Sequence, residues 1–304
     1  MRKRKGRGRR WLFTLLTLFL ITSASLIGYY AYHFYSAMSK AYQPGEQSEK
    51  RKSIVNISAD PVSILLLGVD ERKYDKGRSD TMIVMTVNPR QKTIKLTHIP
   101  RDTYVTIPGK PGKDKINHAY AFGGAELAKE TAEGFLDIPI DYYIKVNMQG
   151  FRNIIDELDG IEVDVPFDFQ FQGYTFHKGP MVLQGDAALR FAQMRKSDPM
   201  GDLGRIERQQ QVIKGILRKG TSLSTLGKWD DVMVHMGNHM TTDMSPWDLL
   251  KLQQFDSRLN KQQIQSIRIK GDNQKLKGVY YYMVSDEERR RVRKALMDHL
   301  ELSP

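Results

Sequence analysis

Ile64-Leu-Leu-Leu-Gly-Val-Asp70 is a short continuous apolar run that stops at Gly68 and is followed closely by an acid. Four apolar residues bounded by glycine are too few for a helix and read as a buried strand. Two more β-rich runs follow at 82–87 and 93–99, separated by Asn88-Pro-Arg-Gln91, and together they predict a hairpin. Further on the pattern alternates, with a helix over 124–136, a strand over 142–146, a helix over 148–158 and a strand over 161–165. Helices are expected at 184–194 and 203–217, and Ser285-x-x-Glu288 is a capping box that opens a charged C-terminal helix. An early hairpin joined to later helix-strand units gives an α/β fold whose sheet is mixed rather than purely parallel and lies between helical layers.

The first ten residues carry seven Lys or Arg and no acid, and residues 11–32 are uncharged and mostly apolar. About 20 such residues are enough to cross the hydrocarbon core as a helix. Ser23-Ala-Ser25 is small enough to resemble a signal-peptide cleavage site. The apolar run nevertheless continues through Leu26 and Ile27 to Tyr29, Tyr30 and Tyr32, an aromatic end suited to the membrane interface. The expectation is a basic cytoplasmic tail at 1–10, one uncleaved transmembrane anchor at 11–32, a polar stalk at 33–59 and an extracytoplasmic domain at 60–304. Net charge is +12, but eleven Lys or Arg against Glu46 and Glu49 place +9 of it in residues 1–59 and leave +3 for the domain. A nucleic-acid partner therefore loses the support that the high overall charge suggests. The chain has no cysteine, which excludes disulfides, thiolate metal sites and a cysteine nucleophile.

Arginine and aspartate recur together in Leu65-Leu-Leu-Gly-Val-Asp70, Gly77-Arg-Ser-Asp-Thr81, Ile99-Pro-Arg-Asp-Thr103 and the stretch 194–205. Arginine offers a planar fork of donors that matches phosphate oxygens, and paired aspartates are oxygen ligands for a hard divalent cation. The combination suits a pyrophosphate-metal complex. Asp70 follows a strand and Asp80 lies at the mouth of the next, where loops on a rigid scaffold usually carry chemistry. Either alone reads as a turn cap, but Arg78 beside Asp80 and Arg101 after the third strand favour a site. Arg205, Arg208 and Gln209 can share one face at a helix start, which already favours an anion. Asp198-Pro199 and Gly201 break the helical pattern before it, so a turn brings Arg195 and Asp202 toward the same point. His235 and His239 have helical metal spacing, but no Glu follows the first, so both read as structural. A nucleotide-type phosphate loop, a Gly-x-Ser-x-Gly elbow and a dinucleotide fingerprint are absent.

On these stretches, with Lys115-Ile-Asn-His-Ala-Tyr120, Gly123-Gly124 and residues 194–210, the chain resembles the LytR-CpsA-Psr family across the whole domain, single N-terminal anchor included. The resemblance implies a three-layer α-β-α sandwich, a deep apolar pocket for a polyprenyl chain and a pyrophosphate site at its mouth. The implied activity is phosphotransfer: a glycopolymer, wall teichoic acid or similar, moves from an undecaprenyl-pyrophosphate-linked carrier to N-acetylmuramic acid of peptidoglycan at the cell membrane. Carried over by motif, Asp70 and Asp80 resemble ligands of magnesium, with manganese as the alternative. Arg78, Arg101, Arg195 and Arg205 resemble a pyrophosphate clamp, and Arg101 and Asp202 resemble catalytic positions, Asp202 either orienting arginine or taking a proton.

Many members of the family carry arginine where this chain has Gln193, which can hydrogen-bond phosphate but not neutralise it. Asn117 and His118 fall in a family motif, yet a lone histidine is more often structural and geometry must decide. Two alternatives stand beside transfer: a polyprenyl-pyrophosphate hydrolase using the same site with water as acceptor, and a non-catalytic anchored module that binds wall polymer or regulates.

Overall fold

The run that opens at Val62 forms the centre of the sheet. The computed structural model describes residues 6–71, 77–220, 239–253 and 263–302. Strand β1 (Val62–Val69) pairs antiparallel with β2 (Ser79–Asn88), which returns as β3 (Thr93–His98) in the expected hairpin. On its other side β1 pairs in parallel with β6 (Tyr142–Asn147). The edges are β11 (Met240–Thr242), antiparallel to β6, and β12 (Ile264–Arg268), parallel to β3. The six-stranded order is β11-β6-β1-β2-β3-β12, a mixed sheet. A central strand covered on both faces needs apolar residues at every position rather than at alternate ones, which is why β1 reads as a continuous run.

Leu65, Leu67, Met82 and Val84 face one helical layer, built from α2 (His118–Leu136) and α7 (Asp286–Leu300). Ile64, Ile83, Met85 and Leu96 face the other, where α5 (Asp202–Gly220) and α6 (Pro246–Gln253) pack. The three layers are those expected. Each fully buried Leu or Ile contributes about 1.5–3 kcal/mol, and in a chain without cysteine this burial holds the domain. A third cluster, around Phe169, Phe176 and Phe191, joins α3 (Met148–Glu157), β7 (Ile161–Val165), β10 (Gly179–Leu183) and α4 (Gly185–Gln193) to α5.

Three short hairpins escape the sequence pattern: β4 (Tyr104–Thr106) with β5 (Lys113–Lys115), β8 (Phe169–Phe171) with β9 (Tyr174–Phe176), and β13 (Asp272–Leu276) with β14 (Val279–Met283). Helix α2 begins six residues earlier than the expected 124 and breaks at Gly123 and Gly124, the latter with a φ of 70° that is open to glycine and strained for other residues. At α7 the Ser285 hydroxyl caps the Glu288 N–H at 3.2 Å, but the Glu288 carboxylate accepts from the Lys270 N–H instead of closing the box.

The N-terminus differs from expectation in two respects. Helix α1 (Gly6–Ala41) is continuous through 36 residues, with Trp11, Leu12, Phe13 and Phe19 exposed, and the Thr17 and Thr22 hydroxyls donate back to helix carbonyls. Among the described residues, however, no helix is long and apolar enough to cross a membrane. The span over 11–32 therefore rests on the sequence, and residues 1–5 of the basic tail lie outside the described residues. The segment expected as a stalk over 33–59 is helical to Ala41, which is buried under the sheet, and then straps the domain. Arg51 grips Asp141 with Nε and Nη2 at 2.6 and 2.7 Å, and Asp141 also accepts from the Ser63 N–H at 2.8 Å. Polarity marked this segment as a linker, but Arg51 makes a buried pair with Asp141 of the domain and Lys50 an exposed one with Asp137.

Candidate active site

The β1 and β2 strands end in an irregularity that sets the first acids. Gly68 pairs with Thr81 and Val69 with Ser79, so Asp80 is the extra residue of a β-bulge, a device that re-aims a side chain. Asp70 leaves β1, and its N–H lies 3.5 Å from the Arg78 carbonyl. Gly77, at φ 69°, closes this loop; a Cβ there would come within 2.3 Å of the Asp70 carbonyl oxygen. The next residue, Glu71, accepts from the Tyr120 hydroxyl and pairs with Lys145 at 2.9 Å, which pins the chain just past Asp70. Arg78 stands exposed at the rim.

Arg101, in the turn after β3, donates from Nη1 to Asp80 Oδ1 at 2.6 Å. Its Nε lies 3.8 Å from Asp102, which Lys115 holds at 2.7 Å. Burial acts to lower the Arg101 pKa, but the hydrogen bond to Asp80 and the charges of Asp80, Asp102 and Asp202 outweigh it and raise it above the ordinary value. From the other side, Asp202 opens α5 and its Oδ1 lies 2.7 Å from Arg205 Nη2 and 3.1 Å from Arg195 Nε. These contacts are ion pairs rather than aligned hydrogen bonds, since Asp202 Oδ1 has no hydrogen-bond partner. Arg205 is depressed below the ordinary arginine value, first by burial and then by Arg101 and Arg195, with Asp202 opposing. Three guanidinium groups thus converge, and the innermost is short of negative charge.

Several buried polar atoms here lack partners: Arg205 Nε, Gln209 Oε1 and His98 Nδ1. Buried polar groups are nearly always satisfied, so a group of orphans around a cationic cluster marks where a ligand's polar groups belong, an oxygen acceptor at Arg205 Nε and a donor at Gln209 Oε1. His98, at the end of β3, is 4% exposed, and burial together with Arg205 lowers its pKa to about 3, so it is neutral at ordinary pH. Sequence reading missed His98, because it precedes the Ile99-Pro-Arg-Asp motif and resembles any strand residue.

Arg208 is a correction. It does not join Arg205 and Gln209 but turns into the core, where its side chain is 1% exposed and pairs with Asp198, itself 2% exposed. It also donates to the Phe191 carbonyl at 2.9 Å and to the Met194 carbonyl, and its guanidinium lies against both the Phe169 and Phe191 rings. Its work is to hold the loop that carries Arg195. His118 pairs with Asp114 at 2.7 Å and packs edge-on to Phe122, a structural role. Gln193 accepts from Arg190 at 3.2 Å. His239 approaches Asn147 at 3.4 Å, and His235 lies outside the described residues.

Among the described residues no group of three His, Cys, Asp or Glu could hold a metal. Asp70 and Asp80 fit magnesium only in the mode where one or two carboxylates share it with substrate phosphates and water, and Asp80 is already tied to Arg101. Beside Asp202 opens a cleft of about 420 Å³ between α5 and the β12–β14 region. Its lining joins Leu203, Ile206 and Ile269 with Glu207, Gln210, Arg268 and Asn273, and apolar surface predominates in it.

The chain has relatives among known proteins over nearly its whole length. The LytR_cpsA_psr family profile matches residues 28–298. The polyisoprenyl-teichoic acid–peptidoglycan teichoic acid transferase TagU of Bacillus subtilis is 41% identical over 306 residues, covering 98% of this chain and 99% of its own. The crystal structure of B. subtilis TagV superposes with a TM-score of 0.73 at 39% identity, over 81% of this chain and 99% of that one. A TagT structure bound to LIIa-WTA gives a TM-score of 0.75 at 35% identity, over 85% of this chain and 98% of that one.

Proposed function

This chain belongs to the LytR-CpsA-Psr family, and from that premise we propose that it moves a teichoic-acid-type glycopolymer from a polyprenyl-pyrophosphate carrier to peptidoglycan. The observation that carries the reading is the convergence of Arg101, Arg195 and Arg205 on Asp80 and Asp202, with Arg205 Nε left open for an oxygen acceptor. A hydroxyl of the acceptor sugar forms a new bond to the phosphorus that bears the polymer, and its proton passes to water or to a carboxylate of the site. The bond from that phosphorus to the bridging oxygen breaks, and polyprenyl phosphate leaves with the charge. Cations fixed around the bridge interact more strongly with the charge as it develops than with the ground state, and so they lower the barrier. Asp202, held between two arginines, orients them. Magnesium, or manganese, when held by Asp70 and Asp80 with the donor's own oxygens, would neutralise further phosphate charge.

The same reading places α1 as a membrane anchor with its basic end in the cytoplasm and the domain outside, on the strength of the seven cations before the apolar run and the exposed Trp11, Phe13 and Phe19. Purified full-length protein, a lipid-pyrophosphate-linked polymer and a peptidoglycan oligosaccharide test the activity. Metal-dependent appearance of polymer on the glycan is expected. Release of polyprenyl phosphate with no polymer on the glycan assigns hydrolysis instead, and neither product leaves a binding or regulatory module.

A further inference from the structure

The hairpin of β13 and β14 is tied at one end to the turn that carries Arg101. The Tyr282 N–H donates to the Asp102 carbonyl at 2.8 Å. Tyr281 packs on Tyr104 with ring centroids 4.7 Å apart, and Lys115 stands over the Tyr281 ring at 5.7 Å. The other end is in water. All of β13 is exposed, and around the turn Leu276, Val279 and Tyr280 are 36%, 44% and 63% exposed. A lone two-stranded hairpin is marginal in water, and apolar side chains gathered at its exposed tip with charge around them mark an interaction surface.

Charge and place select the occupant. Lys275 stands over the Tyr280 ring at 5.4 Å, Lys277 is the first residue of the turn, and neither is ion-paired among the described residues. Asp272, the hairpin's acid, lies at the far end opposite Met283. Lys277 and Gly278 have φ of 48° and 86°, a two-residue turn with both residues left-handed, where asparagine or glycine is usual in the first place. A lysine thus holds the tip against backbone preference. Cations beside aromatic and aliphatic side chains suit the headgroup layer of an anionic bilayer, where rings favour the interface and lysines meet phosphate. A polyanionic polymer would satisfy the lysines and leave Leu276 and Val279 in water.

Place agrees with charge. Strands β1 and β6 end side by side at Val69 and Asn147, next to Asp70, and β3 and β12 end together at His98 and Arg268. Strand β11 starts at this same end, with Met240 opposite Val146, and Tyr42 is bridged in parallel to Thr242. The chain at Tyr42 therefore runs away from the active-site end, and α1, which stops at Ala41, joins it from that end. Anchor and hairpin adjoin the two opposite edge strands, β11 and β12, with β2 and its Asp80 between them.

Resting on α1 as the membrane anchor, we propose that this hairpin is a second membrane contact, whose tip from Lys275 to Tyr280 enters the headgroup layer of a bilayer that carries anionic lipid. Two contacts at opposite edges hold the sheet end-on to the membrane, with the arginine cluster toward the headgroups.

The chain has no cysteine, so Val279→Cys places a single environment-sensitive fluorophore at the tip. Ile54→Cys is the control, 86% exposed on the strap near Arg51, whose partner Asp141 precedes β6 at the other end of the sheet. Full-length protein is placed in nanodiscs of phosphatidylcholine with or without phosphatidylglycerol, some of the lipid carrying a headgroup nitroxide quencher. Quenching of the tip label in phosphatidylglycerol discs, and not of the strap label, is expected. One lysine near an anionic surface strengthens attachment about fivefold, so Lys275→Gln with Lys277→Gln should lower the docked-to-free ratio of the tip roughly tenfold or more. Tyr280→Ser should lower it too, and the melting temperature should not move in either variant. Tip quenching no greater than that of the strap overturns the proposal, as does quenching that needs neither phosphatidylglycerol nor the lysines. A tip signal that responds to soluble poly(glycerol phosphate) and not to the quencher lipid assigns the hairpin to polymer and overturns it as well. Protein that stays out of the discs overturns the anchor reading and the proposal with it, whereas incorporated protein with an unquenched tip overturns the hairpin contact alone.

Discussion

Removing one partner of the buried pair between Arg208 and Asp198 should cost more than any change on the exposed part of the site. The two side chains are 1% and 2% exposed, and Arg208 holds the Phe191 and Met194 carbonyls as well as the carboxylate. Asp198→Ala leaves a buried cation without its counter-charge, a loss of about 3–5 kcal/mol for a pair of this kind. For a domain of this size each kcal/mol lowers the melting temperature by about 2–4 °C, so a fall of roughly 6–20 °C is expected in a thermal melt followed by circular dichroism. Gly204→Ala tests the same contact from the helix. Alanine favours a helix over glycine by about 1 kcal/mol, yet its Cβ would lie 2.0 Å from Asp198 Oδ2, so the clash decides and the variant is destabilised. The double variant Asp198→Leu with Arg208→Met should be less damaged than the sum of its single changes, because no lone charge remains buried. A fall of under about 2 °C for Asp198→Ala would place the pair with exposed ion pairs, worth about 0–1 kcal/mol, and refute the claim that it holds the Arg195 loop.

Arg101→Lys keeps the charge and loses the fork, so transfer turnover should drop about tenfold or more, equivalent to about 1.4 kcal/mol of transition-state stabilisation; wild-type kcat in a folded variant would show that a point charge suffices. Asp80→Asn should abolish the magnesium dependence of prenyl-pyrophosphate affinity in calorimetry, and an unchanged dependence would remove Asp80 from the metal. His98, with its pKa lowered to about 3 by burial and Arg205, stabilises the fold fully above about pH 6.5 and less as pH falls toward 3. Its share of the slope is on the order of 1.4 kcal/mol per pH unit, so denaturant unfolding of His98→Gln should show a shallower acid loss, and an equal slope would mean that His98 is not the group titrating. Protease added to wall-stripped cells should digest residues 60–304, while their survival alongside a protected cytosolic control would reverse the proposed topology.

Much of the sheet was legible because strand burial on two faces leaves a continuous apolar trace, as at Ile64 to Leu67, and because Asn88-Pro-Arg-Gln91 marks its own turn. Five of the proposed site residues fall in two ion-paired groups, Asp80 with Arg101 and Asp202 with Arg195 and Arg205, and Arg101 feels the charge of Asp202. What the sequence could not show is where like side chains point. Arg78 and Arg101 each sit among the same motif residues, yet one is exposed on a loop and the other is half-buried against Asp80. The segment expected as a stalk over 33–59 hides its main contact for a related reason: Arg51 looks like a solvent charge until Asp141 arrives from 90 residues away.

Helix α5 shows how much of the site depends on angle rather than on composition. Taking Arg205 as the reference and about 100° per residue, Asp202 and Gln209 fall to one side within roughly 60°, and Arg208 falls about 60° to the other. That difference is enough to send Arg208 toward the Phe169 and Phe191 rings and Asp198, while Arg205 stays with Arg195 and Asp202. Continuing past Asp202 around the helix reaches Ile206, Gln210, Leu203 and Glu207, the wall of the cleft. One helix therefore carries an anchoring face, an anion-binding face and a neutral polar flank, with Asp202 at the boundary between the last two. A carboxylate at that boundary, ion-paired with Arg195 and Arg205, holds two guanidiniums in place for a pyrophosphate.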